Sequence, residues 1–355
     1  MPDYGVNWDK IHKRHSAFWQ GELKGSCLFA VTAPRTGHSR RQLPYPTDTE
    51  GRIKWRTDPK EVIARHRDGF QGTYFAGDAF PVLTHDLGAA GHAGFFKGAQ
   101  PRFEDSIWFE PSLKSYDDLA FDPDSFLYKK TIDMAKAYAD DAKGDYVIGM
   151  PDAVGAADAL SHLRGPQQFM MDMYDQPKAV KAALKKVQAV WENTMTSAWD
   201  AVCGSNKGYG CVGWLGTLAP GFHVQLQCDC SVMLSADMFE EFLCYELDAQ
   251  SQFVDYSLYH LDGEEQVRHL PYLLAVDGIH AIQWTNIAGQ APPTAYIPVL
   301  KQIQKAGKRL ILGCMPKEVP LLLENLDQRL LYLGTRADSE TEADDLVELA
   351  QRMFK

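Results

Sequence analysis

The segment LYHLDGEEQVRHLPYLL, residues 258–274, sets a histidine and an aspartate two positions apart, directly after a short apolar run. On an extended backbone residues i and i+2 share a face, so His260 and Asp262 are expected to point to one place. An imidazole beside a carboxylate can bind a metal, or it can act as a base with its orienting partner. A structural role is equally open to them, with His260 at a sheet rim and Asp262 capping a helix that starts near Glu264. Cys314 ends a later apolar run and offers a soft thiolate as a third ligand beside His260 and Asp262. Asp78, Asp152, Asp229, Trp284, Asn286 and Arg336 also stand at or just beyond the ends of such runs. Cys228 and Cys230 form a C-x-C pair, a pattern met more often in packing than in metal or redox work. Asp229, between them, points to the other face and is the more useful group if that face is interior.

The runs that position these residues recur at 145–152, 211–216, 222–230, 256–263, 279–286, 309–316 and 330–337. Each reads as a short strand ending in polar, Gly or Cys residues. Helical patterns lie between them. One covers 235–255 with Ser235 as N-cap, and another covers 292–308 and closes on a glycine. Ser339 and Glu342 have capping-box spacing before the last helix. Strand and helix in alternation predict right-handed βα units and a parallel sheet. With at least six such units and no GxGxxG opening a helix, this α/β chain reads as a closed (β/α)8 barrel rather than an open sheet. Upstream, a helix near 8–23, a strand at 27–34, a helix at 58–70, the strand-like 73–81 and a helix over 123–144 can be placed. The stretch 84–124, rich in Gly, Phe and Pro, reads as loops over the barrel mouth. No linker divides the chain, so residues 1–355 are expected to form a single domain with 1–25 as an N-terminal helical extension.

Reactive groups in a barrel come from the C-terminal strand ends and the loops that follow. Aromatic residues cluster near that mouth, among them Tyr74, Trp108, Trp214 and Trp284, and those not in the core would wall a pocket for a flat or hydrophobic substrate. The methionine cluster in 163–177 reads as core or mouth lining. There is no P-loop and no GxSxG elbow.

Composition is that of an ordinary globular chain of 355 residues, 45% hydrophobic and 23% charged. A formal charge of −11 argues against nucleic acid and against an anionic membrane surface. No apolar run approaches membrane-spanning length, and the N-terminus is polar. Seven scattered cysteines suit reduced thiols. The expectation is a soluble cytoplasmic protein that handles a small molecule.

Several segments in their order and spacing resemble the uroporphyrinogen decarboxylase superfamily, and most of all a bacterial branch of it. They are AFWQGELKGSCLFAVTAPR (17–35), TYFAGDAFP (73–81), DALSHLRGPQQFMMDMYDQP (158–177), QCDCSVMLSADMFEEF (227–242), YHLDGEEQVRHL (259–270), AIQWTNIAGQAPP (281–293) and IQKAGKRLIL (303–312). The resemblance implies one (β/α)8 barrel with its site at the strand C-termini, and one of two chemistries.

The first is decarboxylation of uroporphyrinogen without metal or cofactor, using an arginine-rich segment and an aspartate near the second strand. Asp78 stands about where that aspartate falls. Arg35, Arg40 and Arg41 do not reproduce the arginine pattern, and the late histidine segment is replaced by LGTRAD with Thr335 and Arg336. An acidic chain lacking those cations suits a substrate of eight carboxylates poorly.

The second is methyl transfer between a small methylated compound and a corrinoid, with zinc held by His-x-Cys and a later cysteine. Here His260 matches, Asp262 replaces the first cysteine, and the last-strand position reads Thr335 or Arg336, which leaves Cys314 as the remaining thiol. An oxygen-richer site suits polarising an ether, hydroxyl or carbonyl.

The leading expectation is therefore a methyltransferase acting on a small organic substrate with a corrinoid carried by a partner protein. His260 and Asp262 would bind substrate or a metal, zinc or another divalent ion, while Asp78 and Asp229 take acid/base or orienting roles. Arg35, Tyr74, Trp108, Asp152, Arg164, Trp284, Asn286 and Arg336 would surround the substrate. One alternative is a metal-free decarboxylase or lyase in which Arg164, Arg336 or Arg35 holds a carboxylate and Asp78 assists protonation. Another is a binding protein that keeps the barrel without the chemistry. No nucleic-acid or membrane partner is expected, and homodimer formation stays open because no interface is legible.

Overall fold

Asn7 starts the first helix, α1 (Trp8–Gln20), by accepting a hydrogen bond from the Lys10 N–H at 3.0 Å, and Gly21 ends it at φ 75°. The computed structural model describes residues 4–38 and 43–354. After α1 come β1 (Leu28–Pro34), α2 (Thr49–Thr57), α3 (Pro59–Gln71) and β2 (Thr73–Gly77). β2 runs antiparallel to β1, with Ala30 opposite Gly77 and Pro34 opposite Thr73. That reversal departs from the βα rhythm.

The stretch 84–124, expected to be loops, contains a hairpin. β3 (Val82–Leu83) precedes it, and β4 (Gln100–Phe103) and β5 (Ile107–Glu110) pair antiparallel. Then come α4 (Phe126–Ala142), β6 (Val147–Ile148), α5 (Ala156–Arg164), α6 (Pro166–Asp175) and α7 (Pro177–Val202). α7 buries Val180, Leu184, Val187, Trp191 and Met195 at helical spacing, an amphipathic helix outside the strand rhythm.

β7 (Gly210–Val212) and β8 (Thr217–Ala219) form a short antiparallel pair. The regular repeats follow as β9 (His223–Gln227), α8 (Ala236–Phe253), β10 (Tyr256–Leu261), α9 (Leu270–Ala275), β11 (Ala281–Trp284), α10 (Ile297–Lys305), β12 (Arg309–Gly313), α11 (Val319–Asn325), β13 (Leu331–Arg336) and α12 (Glu340–Met353). Ser235 caps α8 and Ser339 caps α12, as the sequence predicts. Each strand from β9 to β13 lies parallel beside the next, and β13 lies parallel beside β1. Last strand beside first is the winding of a barrel, whereas a doubly wound sheet reverses its strand order.

The pairing does not close a regular ring of eight. β3 and β6 are two residues each and pair with one another. Single bonds carry the wall onward, from Gly149 N to Leu83 O at 2.9 Å, Met150 N to Cys211 O at 2.8 Å and Gly155 N to Gln227 O at 3.2 Å. Pro81 and Pro151 flank the short strands and lack the N–H that would lengthen their ladders.

Strand parity divides the core in two. Leu28, Leu258, Ala281, Ile311 and Tyr332 face inward and cluster with Phe18 and Trp19 of α1. The Trp19 indole N–H donates to Leu218 O at 2.8 Å, so α1 plugs one end of the sheet. Phe29, Tyr259, Leu261, Trp284 and Leu312 face outward into the layer shared with the helices. Burying each such side chain stabilises the fold by roughly 1.5–3 kcal/mol. Among the described residues no helix is long and apolar enough to cross a membrane.

Candidate functional site

Toward the C-terminal strand ends the inward parity turns polar. Gln225 and Gln227 on β9, His260 on β10 and Gln283 on β11 are all buried. The register sets Gln227 beside His260 and His260 beside Gln283. Buried amides and imidazoles need partners, and these bond one another. Gln283 Nε2 donates to Trp284 O at 2.8 Å, which turns Gln283 Oε1 toward His260 Nδ1 at 2.5 Å. Thr285 Oγ1 lies 2.9 Å from the same nitrogen and 3.2 Å from Gln283 Oε1. An amide oxygen only accepts, so Nδ1 carries the hydrogen of the neutral ring and Nε2 keeps its lone pair. Nε2 lies 3.9 Å from Asp262 Oδ1. The Trp214 ring stands edge-on to the imidazole, with centroids 5.2 Å apart.

A second chain of bonds crosses this row. Trp214 Nε1 donates to Gln225 Oε1, and Gln225 Nε2 donates to Asp152 Oδ1 and, at 2.7 Å, to Gln227 Oε1. Gln227 Nε2 donates to both Asp229 oxygens at 3.2 Å. Burial pushes the Asp152 carboxyl up to about 7, the charges of Asp229 and Asp86 add to the rise, and the Gln225 bond opposes it. Burial also raises Asp229. His260 pulls it down, Asp262 pushes it up, and the Gln227 bond lowers it. Asp158 of α5 holds the turn after β9, accepting from the N–H groups of Asp229 and Cys230 at 2.8 Å each. Beside the row lies a cavity of about 580 Å³ lined by Thr32, Phe75, Trp214, Thr335 and Arg336 among others. His260 does not line it; Trp214 connects the two.

His260, Asp262, Asp229 and Asp152 thus gather where the sequence placed them, and Arg336 reaches the cavity. Asp78 does not. Because β2 is antiparallel, its far end meets the start of β1, where the Phe29 N–H donates to Asp78 Oδ2 at 2.8 Å. Arg14 donates to the two Asp78 oxygens at 2.6 and 3.0 Å, an ion pair that fastens α1 at the opposite end from the polar row. Tyr74 is also turned away, and its hydroxyl donates to Asp344 of α12 at 2.9 Å. Trp284 has outward parity and packs on Tyr296, so the inward residue of that strand is Gln283.

The guanidinium of Arg35 is engaged by the carbonyls of Tyr4 and Thr73. That of Arg164 is engaged by Asp172, Leu113 O and Lys114 O. Trp108 stands exposed on the β4–β5 hairpin and donates to Asp105, while Asn286 ties the end of β11 to Gly313 O at 2.7 Å. Arg40 and Arg41 lie outside the described residues. The ligand atoms of His260, Asp262 and Cys314 do not all come within 4.8 Å of one another. Burial and Glu318 push the Cys314 thiol up to about 12.

Sequence reasoning passed over Gln225, Gln227, Gln283, Thr285 and Asp158. The signal for the first four was present, because HVQLQCD and AIQWT set polar residues at every second position of otherwise apolar strands. Asp158 sits on a helix, and only the tertiary fold brings it to the turn after β9.

No family model and no curated protein matches the chain. Among solved structures it is similar to a methyltransferase from Methanosarcina mazei, with a TM-score of 0.56 and 14% identity over 96% of this chain and 98% of that one. At that identity the likeness is one of fold.

Proposed function

We propose that the chain is a methyltransferase-type enzyme built on the barrel plan of the uroporphyrinogen decarboxylase superfamily. It would pass a methyl group between a small organic substrate and a corrinoid carried by a partner protein. The observation that carries this reading is His260, whose Nδ1–H is committed to Gln283 and whose Nε2 is left as a base beside Asp262 at the strand ends. The whole-length fold likeness to a methyltransferase supports it.

Methyl transfer breaks a bond from carbon to a heteroatom or forms one, and the heteroatom must gain or lose a proton as this happens. His260 Nε2 can take the proton of an attacking thiol or hydroxyl, and in the reverse direction its protonated form can give one to a departing oxygen, sulfur or nitrogen. Asp262 steadies the imidazolium, and Trp214 limits water at the ring. The corrinoid supplies the cobalt centre that takes up or gives the methyl group. Trp214, Met233 and Met315, each 40–53% exposed, follow the ends of β7, β9 and β12, the end of the strands at which a corrinoid partner would dock.

Zinc does not fit the residues named for it. One imidazole and one carboxylate, without Cys314, fall short of the three protein ligands of a catalytic zinc site. A second reading, a decarboxylase or lyase, is favoured by Arg336 on the cavity lining and by an Asp152 carboxyl able to hold a proton near neutral pH. Incubating the purified chain with free cobalamins and a panel of methylated amines, ethers and thiols separates the two. Methyl exchange supports the proposal, and CO2 release from a carboxylated compound without a corrinoid supports the second reading.

A further inference from the structure

Behind Asp229 three side chains converge that the proposed reaction does not use. Cys228 follows β9, Cys230 lies in the turn Asp229–Met233, and Asp158 comes from the first turn of α5. All three are buried and both thiols are free. The Cys228 and Cys230 sulfurs are 3.5 Å apart, and Cys228 Sγ is 4.0 Å from Asp158 Oδ1. All three ligand atoms lie within 4.8 Å of one another, and this is the one such group of three or more among the described residues.

The geometry points to a binding site for one thiophilic divalent cation of the zinc class, held by Asp158, Cys228 and Cys230. Tetrahedral zinc with ordinary Zn–S and Zn–O bonds sets sulfur–sulfur edges of about 3.8 Å and sulfur–oxygen edges of about 3.5 Å. The two distances above are each within about half an ångström of those edges. Three protein ligands is the number used by zinc sites that keep one position for a non-protein ligand.

Asp158 is held in place for this role. Its two oxygens accept the N–H groups of Asp229 and Cys230, and each oxygen keeps a second lone pair. Among the described residues no lysine or arginine forms an ion pair with Asp158, so no fixed cation competes for its oxygens at the position facing the two sulfurs. Binding releases the two thiol protons, and any proton held by Asp158, to solvent and forms two metal–sulfur bonds and one metal–oxygen bond. Since Asp229 stands between the cysteines, the ion would lock the turn that carries that carboxylate. The site is separate from His260 and independent of the reaction proposed above.

The test uses the full-length chain, reduced and freed of metal, titrated with Zn²⁺ by equilibrium dialysis and with Co²⁺ by absorption. The expected result is one equivalent of either ion and a thiolate-to-cobalt charge-transfer band. Both should be lost in Cys228→Ser and in Cys230→Ser and retained in His260→Ala. No bound ion and no band in the wild-type protein would overturn the site, whatever the variants do. So would binding that survives both serine variants and disappears in Cys314→Ser.

Discussion

The direction of the His260 ring is set by an amide. Gln283 is itself fixed by Trp284 O, and so it presents an acceptor to Nδ1. Replacing that amide with an apolar side chain of similar size, Gln283→Leu, removes the acceptor that holds Nδ1–H and leaves the lone pair at Nε2. Because the proposed base acts through Nε2 in that one tautomer, kcat/KM should fall about tenfold or more with the fold retained. An unchanged kcat/KM in the folded variant would remove Gln283 as the group that orients His260.

Asp152 makes a separate prediction about stability. Its folded pKa of about 7 lies above the ordinary carboxyl value of 3.8, so the native state binds the extra proton between those values. Its contribution is complete below the unfolded pKa and is lost as pH rises through about 7. Asp152→Asn should therefore gain in Tm relative to wild type as pH is raised from about 4 to about 8. A constant difference across that range would contradict the burial argument.

At the level of elements, the second half of the chain was legible because each βα unit repeats one local pattern, a short apolar run followed by a capped amphipathic helix. The first half was not, for reasons that are tertiary. Nothing in TYFAG says that β2 runs against β1, and that single reversal moved Asp78 and Tyr74 from an expected site to structural posts. Trp284 was misplaced by one residue of strand parity, since the alternation in AIQWT that sets Gln283 and Thr285 on one face and Trp284 on the other was passed over. The hairpin of β4 and β5 lay in a stretch whose Gly and Pro content masked it.

The Arg14–Asp78 pair tests the structural role of the β2 end. Arg14→Ala leaves a buried carboxylate without its partner, which destabilises by about 3 kcal/mol or more. A clear drop in Tm is expected, with kcat/KM unchanged at temperatures where the variant is folded. A loss of activity in the folded variant would return Asp78 to the reaction.

Over the whole molecule, strand order carries more than any motif. β13 beside β1, with five consecutive parallel neighbours, brings Gln227, His260 and Gln283 into one row. α1 seals the other end with Phe18 and Trp19. The candidate site was readable in outline from HLDG and QCD, because strand ends are where such a fold collects reactive groups. Its glutamines were overlooked because an uncharged amide in a strand carries no chemistry until its neighbour is known.

The central claim is that His260 serves as the proton-handling base of a methyl transfer. The most direct measurement follows the absorbance change of methylcobalamin with a panel of small thiols and hydroxyl compounds, using wild type and His260→Ala side by side after circular dichroism shows both folded. Turnover by the wild type with at least one acceptor, lowered about 10²-fold or more in His260→Ala, is the predicted result. Equal turnover by the two proteins, or none by the wild type with any acceptor, would contradict it.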